Sequence, residues 1–203
     1  MKALTVGIID YGVGNLGSIG RTLRSMGYRC RVSCESDVLD DADLLLLPGV
    51  GAFPAAMRAL YENGLVDYLQ LQARLGRPIM GICLGMQLLA DASHEFYLTA
   101  GLGLIPGEVV PLHNTKWHIG WNTLEVQNGE ELLQQSDGQS FYFNHSFVFQ
   151  APSEYQIGLA RLDKPLPVAV RRGSVVGLQF HPEKSQLAGR ILLSRLIEGL
   201  CRA

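Results

Sequence analysis

The sequence predicts an α/β fold with a mainly parallel central sheet, flanking helices and additional antiparallel strands from its second half. Three observations predict it. Continuous apolar runs, the pattern of strands buried on both faces, alternate with helical periodicity over residues 3–89. Glycine-bearing turns follow these runs at their carboxyl ends, where open α/β sheets gather their ligands. Beyond Asp91 the texture changes to short or alternating strand-like runs, and no linker, repeat or low-complexity tract intervenes, so one domain over residues 1–203 is expected.

Residues 3–9, with Val6, Ile8 and Ile9, read as the first strand, followed by the loop Asp10-Tyr11-Gly12-Val13-Gly14-Asn15. A helix over 16–26 stops at Gly27. Gly12, Gly14 and Gly17 resemble a dinucleotide loop, but no acidic residue closes the next strand, which makes phosphate binding the weaker reading. Residues 28–33 and 43–47 are the second and third strands, and the acidic patch 37–41 between them reads as a solvated face. The third strand is expected to end at the loop Pro48-Gly49-Val50-Gly51-Ala52-Phe53. Helices over 54–61 and 65–75 break at Asn63-Gly64 and close at Gly76. A strand over 79–82 then meets Cys83, and Leu84, Met86, Leu88 and Leu89 carry a helical pattern onward. After a loop at 101–107, strands are expected at 108–112, 119–126, 140–149, 155–160, 167–172 and 175–180, extending or flanking the first sheet as antiparallel strands. The closing helix, 187–200, places Ile191, Leu192, Arg195-Leu196 and Leu200 on one buried face.

Composition narrows the function. A chain of 203 residues with 47% hydrophobic and 18% charged residues has enough apolar surface for a substantial core, which argues against disorder. The formal charge of −2 gives no electrostatic case for nucleic acid or an anionic membrane as partner. Met1-Lys2 leads directly into a strand pattern without a signal-like or spanning segment, and four sparse cysteines form no disulfide framework, so a reducing cytoplasm is expected. Cys30 and Cys34 lack a second ligand pair, and no metal is expected there.

The chemistry centres on Gly81-Ile82-Cys83-Leu84-Gly85. A strand turning sharply into a helix holds its apex side chain in a strained, exposed position, and the glycines at minus two and plus two avoid clashes that a Cβ would make. At a helix N-terminus the sulfur is favoured as thiolate, which makes Cys83 a candidate nucleophile; a cysteine simply buried after a core strand fits the same residues. A thiolate needs a base and the base an orienting group. The last strand delivers His181, and Pro182 bends the chain so that Glu183 can hold the imidazole. The N–H of Leu84 and one from the glycine-rich Val50 loop are candidate oxyanion donors.

With these motifs in hand, the chain resembles the class I (triad) glutamine amidotransferases, with a flavodoxin-like fold. Gly81-Ile82-Cys83-Leu84-Gly85 and His181-Pro182-Glu183 carry the resemblance; Asp10-Tyr11-Gly12 and His118-Ile119-Gly120-Trp121-Asn122 are similar to the branch of glutaminase subunits in histidine biosynthesis. The resemblance implies that Cys83 attacks the side-chain amide carbon of L-glutamine, with Gly51, Gln87, His145 and Ser146 lining the substrate pocket and no cofactor required. It implies a heterodimer in which Asn15, Trp117, His118, Ile119, Gly120, Trp121 and Asn122 face a cyclase subunit of (β/α)₈-barrel type. Ammonia would travel through that barrel to its nucleotide substrate, yielding imidazole glycerol phosphate and AICAR. Trp117 and Trp121 also fit plain core packing. A paralogous subunit that supplies ammonia for amidino sugars of surface polysaccharide, and a catalytically idle partner-binding subunit, are the alternatives.

Overall fold

The computed structural model of the chain describes residues 3–202; Met1, Lys2 and Ala203 lie outside the described residues. In the first half, β1 (Thr5–Ile9) leads to α1 (Leu16–Ser25), β2 (Arg29–Ser33), the single turn α2 (Ser36–Leu39) and β3 (Leu44–Gly49). α3 (Phe53–Glu62) and α4 (Leu65–Arg74) precede β4 (Ile79–Cys83) and α5 (Leu84–Gln87). Gly27, Gly64 and Gly76 mark the helix boundaries with φ of 90°, 67° and 78°, the left-handed region that ends a helix without Cβ strain. The acidic patch is therefore partly a helical turn, and the third strand runs through Pro48 and Gly49 instead of stopping before them.

α5 is the clearest departure from the sequence reading. It is one turn, and Leu88, Leu89 and Ala90 continue as a turn into β5 (Ala92–Ser93) and β6 (Thr99–Ala100). All three are fully buried. Burial alone gave them their helix-like apolar pattern, which at this length does not separate a helix from a packed turn. The dipole of a single turn at Cys83 is correspondingly small.

The second half supplies β7 (Glu108–Pro111), β8 (His118–Thr123), β9 (Glu125–Val126), β10 (Ser140–His145) and β11 (Phe147–Gln150). β12 (Gln156–Arg161), β13 (Pro165–Arg172), β14 (Val175–Leu178) and α6 (Gln186–Arg202) complete it. Two expected long strands are each broken, 119–126 at Leu124 and 140–149 at Ser146, because the two segments of each pair in different sheets. The main sheet has eight strands in the order β2-β1-β3-β4-β14-β13-β12-β9. β1, β2, β3, β4 and β14 are parallel, so the last of these is not the antiparallel strand that the sequence suggested. β13, β12 and β9 extend the sheet antiparallel, while β10-β8 and β11-β7-β5-β6 form separate sheets beside it.

Alternate residues of the parallel strands enter two cores, as the strand period requires. Val6, Ile8, Leu44 and Leu46 pack with Ile19 and Leu23 of α1 and with α6. Leu45, Leu47 and Ile79 pack with Phe53, Leu60 and Leu69 of α3 and α4. α6 buries Gly189, Leu192, Leu193, Leu196, Ile197 and Leu200. Ile191, expected on that face, is 39% exposed, and Arg195 faces solvent with it, since the stripe is centred half a turn away.

Candidate active site

The elbow rests on two glycines and a strained apex. Cys83 ends β4 at φ 57°, ψ −113°, a backbone conformation that costs a residue with a Cβ on the order of 1–3 kcal/mol and persists only where its surroundings enforce it. A Cβ on Gly81 would lie 2.4 Å from the Gly85 carbonyl oxygen, and one on Gly85 would lie 1.8 Å from that of Leu47. The chain therefore crosses itself at a separation only glycine permits, as expected for these two positions. Gly49 does the same for the neighbouring loop: a Cβ there would meet Tyr11 Oη at 2.8 Å and Gly85 N at 2.9 Å. Tyr11 Oη donates to the Pro48 carbonyl at 2.8 Å, which pins the start of the Val50 loop beside the elbow. Burial, then the neighbouring Cys83 charge, push the Tyr11 phenol well above its ordinary range, so it stays a neutral donor.

His181 follows β14, three residues past Leu178, the strand's last paired residue. Its backbone N–H donates to the Tyr142 carbonyl at 2.8 Å, and its carbonyl accepts from Ser185 Oγ at 2.7 Å. Gly189 of α6 packs against Pro182, where a Cβ would lie 1.8 Å from the proline carbonyl oxygen, so the helix fixes the turn. In that turn His181 Nδ1 and Glu183 Oε1 are 2.9 Å apart, with the side chains 5% and 4% exposed. Glu183 Oε2 is buried without a hydrogen-bond partner among the described residues. Burial works against the imidazolium, but the hydrogen bonds and charges of Cys83 and Glu183 outweigh it, and the His181 pKa is pushed up to about 9.

One cavity of about 260 Å³ joins these elements. It brings Cys83 and His181 together with the candidate oxyanion residues Val50 and Leu84 and the candidate ligands Gly51, Gln87, His145 and Ser146. Glu183 stands behind His181 and not on this wall. Four further residues on it escaped the sequence reading as pocket groups: Glu95, Asn144, Phe147 and Lys184. Glu95 comes from the connection between β5 and β6, where its Oε2 accepts the Phe53 N–H at 2.7 Å, a long-range contact with no local sequence signal.

His145 has both ring nitrogens engaged within the protein. Nδ1 donates to the Phe147 carbonyl at 2.8 Å and Nε2 faces His118 Nδ1 at 2.9 Å. Burial, with the His118 and His181 charges, lowers its pKa to about 4 against the opposing effect of the Phe147 carbonyl. His118 is lowered by burial too, and Asn122 Nδ2 donates to its Nε2 at 3.1 Å. The stretch 117–122 thus divides by strand alternation: His118 turns inward at 5% exposure, while Trp117, Ile119 and Trp121 point out at 60%, 60% and 53%. Asn15 caps α1 through Ser18 N and lines a second, roughly 10 Å³ space with Pro48, Gly49, Val50, His181 and Glu183. Among the described residues, no cluster of three or more histidine, cysteine or acidic side chains could hold a metal.

A strained cysteine elbow beside a buried histidine-carboxylate pair, on an open α/β sheet, defines a class of protein, and the chain belongs to the class I glutamine amidotransferases, whose family model matches residues 7–195. More particularly, it is 44% identical over 196 residues to a protein of Carboxydothermus hydrogenoformans named imidazole glycerol phosphate synthase subunit HisH, covering 95% of this chain and 98% of the relative. It is 42% identical over 195 residues to the protein of the same name from Streptococcus gordonii, covering 94% of each. Among solved structures, PurLQS from Thermotoga maritima superposes with a TM-score of 0.78 at 20% identity over 98% of this chain and 99% of the other. A glutamine amidotransferase of the same organism superposes with a TM-score of 0.75 at 18% identity over the full length of both, so these two share the fold.

Proposed function

We propose that this chain is the glutaminase subunit of an imidazole glycerol phosphate synthase in histidine biosynthesis, a single-domain cytoplasmic protein that hydrolyses L-glutamine and passes ammonia to a cyclase subunit. The observation that carries the reading is the buried His181–Glu183 pair, 2.9 Å apart, at the cavity that holds the Cys83 sulfur. Near-full-length identity above 40% to proteins named HisH supports the histidine branch over the surface-sugar alternative.

The reaction follows from the side chains. Cys83 as thiolate attacks the amide carbon of glutamine, and the developing oxyanion is met by the N–H groups of Leu84 and Val50. His181, protonated at neutral pH, gives its proton to the departing nitrogen, the C–N bond of the tetrahedral intermediate breaks, and ammonia leaves behind a thioester on Cys83. The imidazole then takes a proton from water as that water attacks the thioester, and glutamate is released from the regenerated thiolate. Glu183 Oε1, accepting from Nδ1–H, leaves Nε2 for both transfers. A cavity of about 260 Å³ falls below the roughly 300–1,000 Å³ of drug-sized sites and suits a small amino acid better than a peptide. The Glu95 carboxylate and the Lys184 ammonium on its wall match the two charges of a zwitterion.

The partner of this reading is a (β/α)₈-barrel cyclase, docked on the outward side chains of β8. A closed transfer is chemically necessary, because ammonia released to neutral water is mostly ammonium, which is no nucleophile. The test is glutamate release by the purified chain, alone and with the cyclase of its own organism, with and without the cyclase's nucleotide ligand. Stimulation by the liganded cyclase is expected, and the Cys83→Ala variant should lose glutamine-driven synthesis while the complex still uses added ammonia. Glutaminase activity indifferent to that cyclase would overturn the histidine assignment, and loss of both nitrogen sources in Cys83→Ala would overturn ammonia transfer.

A further inference from the structure

Gln179 follows β14 directly, two residues before His181, and is fully buried. A buried primary amide must place two donors and an acceptor correctly or lose its desolvation energy. Gln179 Nε2 lies 4.0 Å from Cys83 Sγ, within reach of a hydrogen bond to sulfur, and Oε1 accepts from Gln87 Nε2 at 3.0 Å. Gln87 Nε2 also donates to the Phe147 carbonyl at 3.2 Å. The same carbonyl takes the His145 Nδ1–H, His145 Nε2 takes the His118 Nδ1–H, and His118 Nε2 takes an Asn122 Nδ2–H.

Only one polarity pairs every donor in this chain with an acceptor. Phe147 is a carbonyl and can only accept, which forces Nε2 of Gln87 toward it and the Nδ1 proton of His145 onto it. Gln87 Nε2 then meets Gln179, so Gln179 must present Oε1 to Gln87 and its N–H to the sulfur. Reversing the Gln179 amide would set a carbonyl oxygen against Cys83 and two N–H groups against each other. His145 fits this scheme only as neutral imidazole, which its low pKa secures.

We propose that Gln179 is a further site residue, an amide donor that stabilises the Cys83 sulfur as thiolate, and that Gln87, its own amide oriented by the Phe147 carbonyl, is the positioning residue that fixes which way the Gln179 amide points. The proposal rests on the reading of Cys83 as the nucleophile, but it concerns the sulfur alone and is tested without glutamine. Other groups also act on that sulfur. His181, with Glu183 behind it, interacts with it from the turn after β14 and Tyr11 from the loop after β1, the Asn144 carbonyl lies 3.9 Å from Sγ as an acceptor for a thiol proton, and His145, Glu95 and Lys184 line the same cavity. The experiment must therefore change the amide and leave these in place.

The measurement is the rate of Cys83 carbamidomethylation by iodoacetamide from pH 5 to 9, read at the Cys83 peptide by mass spectrometry. Burial raises the Cys30 and Cys201 thiols, the latter to about 11, which limits their competition. In Gln179→Met, which keeps the length and lacks the donor, the pH midpoint of alkylation should move up by about half to one unit, a threefold to tenfold loss of rate at pH 6. Glutaminase kcat should fall with it while KM changes little. A midpoint unmoved in the folded variant would reduce Gln179 to a packing residue and overturn the proposal. Should the variant not fold, the unmodified chain decides: the Gln179 side-chain amide protons, followed by NMR, should titrate together with Cys83 alkylation, and resonances that ignore it would overturn the donor role. A shifted midpoint in a chain that releases no glutamate even with the liganded cyclase of its own organism leaves this inference standing and removes the glutaminase reading.

Discussion

Glu183 keeps one carboxylate oxygen on His181 Nδ1 and the other buried without a hydrogen-bond partner among the described residues, so its charge is directed almost wholly at the imidazole. The substitution Glu183→Gln keeps the shape and removes that charge. It should lower kcat by about 10²–10⁴ with little change in KM, the scale seen when a triad loses its orienting carboxylate. Because Glu183 helps raise His181 to about 9, its loss should also move the alkaline limb of the pH–rate profile toward neutrality. A variant with an unmoved alkaline limb would separate Glu183 from the proton transfers. The glycines of the elbow carry the second residue-scale expectation. Gly85→Ala puts a methyl 1.8 Å from the Leu47 carbonyl oxygen, in the middle of a buried strand that has nowhere to retreat. Urea titration should show a loss beyond about 3 kcal/mol or no cooperative fold, and a cost below about 1 kcal/mol would mean that the elbow relaxes. These contiguous features were legible in the sequence because a close chain crossing leaves glycines and a proline-fixed turn leaves His-Pro-Glu. Gln179 and Tyr11 were not legible as site groups. Each acts through one hydrogen bond to a residue far along the chain, and buried polar contacts of that kind leave no periodic trace.

The pairing of β8 with β10, which sets His118 opposite His145, brings a pH dependence with it. An unfolded imidazole titrates near 6.5, whereas His145 in the fold titrates near 4. As pH falls between these values the unfolded chain takes up a proton that the folded chain refuses, so stability declines across that window; His118, shifted the same way, adds to it. His181 has the opposite sign. Its folded pKa of about 9 makes its contribution complete below about pH 6.5 and lost as pH rises through 9. In His145→Asn, denaturant melts should show a smaller difference in stability between pH 7 and pH 5 than the parent shows. The cost at pH 7 should be about 1–3 kcal/mol from the hydrogen bonds removed. An unchanged pH difference would locate the acid sensitivity outside this pair. At this scale the sequence reading was weakest. The strand breaks at Leu124 and Ser146 fall inside stretches of mixed, strand-like pattern, where a change of partner sheet alters hydrogen bonding without a turn residue to mark it. The apolar residues after α5 are buried as a turn just as a helix would bury them.

Across the whole molecule, the parallel strands carry Cys83, the Val50 loop and His181 to the carboxyl ends of one sheet; chain direction made the first two legible there, whereas His181 was not, because its strand β14 read as antiparallel. The separate β10-β8 pair, tied to His181 through the Tyr142 carbonyl, presents an apolar surface: Trp117, Ile119 and Trp121 stand outward at alternate positions of β8 and the residue before it. The Trp121 ring meets Tyr142 edge-on at 6.1 Å, and Lys184 Nζ lies 5.8 Å from the centre of the Tyr142 ring. Lys184 also lines the cavity, so the apolar surface and the site are continuous through one side chain. Exposed aromatics cost a lone chain little to keep and supply most of the energy when a partner buries them. Trp121→Ala should therefore leave the isolated chain within about 0.5 kcal/mol of the parent in urea titration. It should weaken cyclase binding by on the order of 2 kcal/mol, near thirtyfold in Kd by isothermal titration calorimetry. Cys83 alkylation in the isolated variant should match the parent, since the indole faces away from His118 and the sulfur's hydrogen-bond partners. Unchanged affinity would move the docking surface off β8, and a large loss of stability would mean that Trp121 serves the fold, the other role its sequence context allowed.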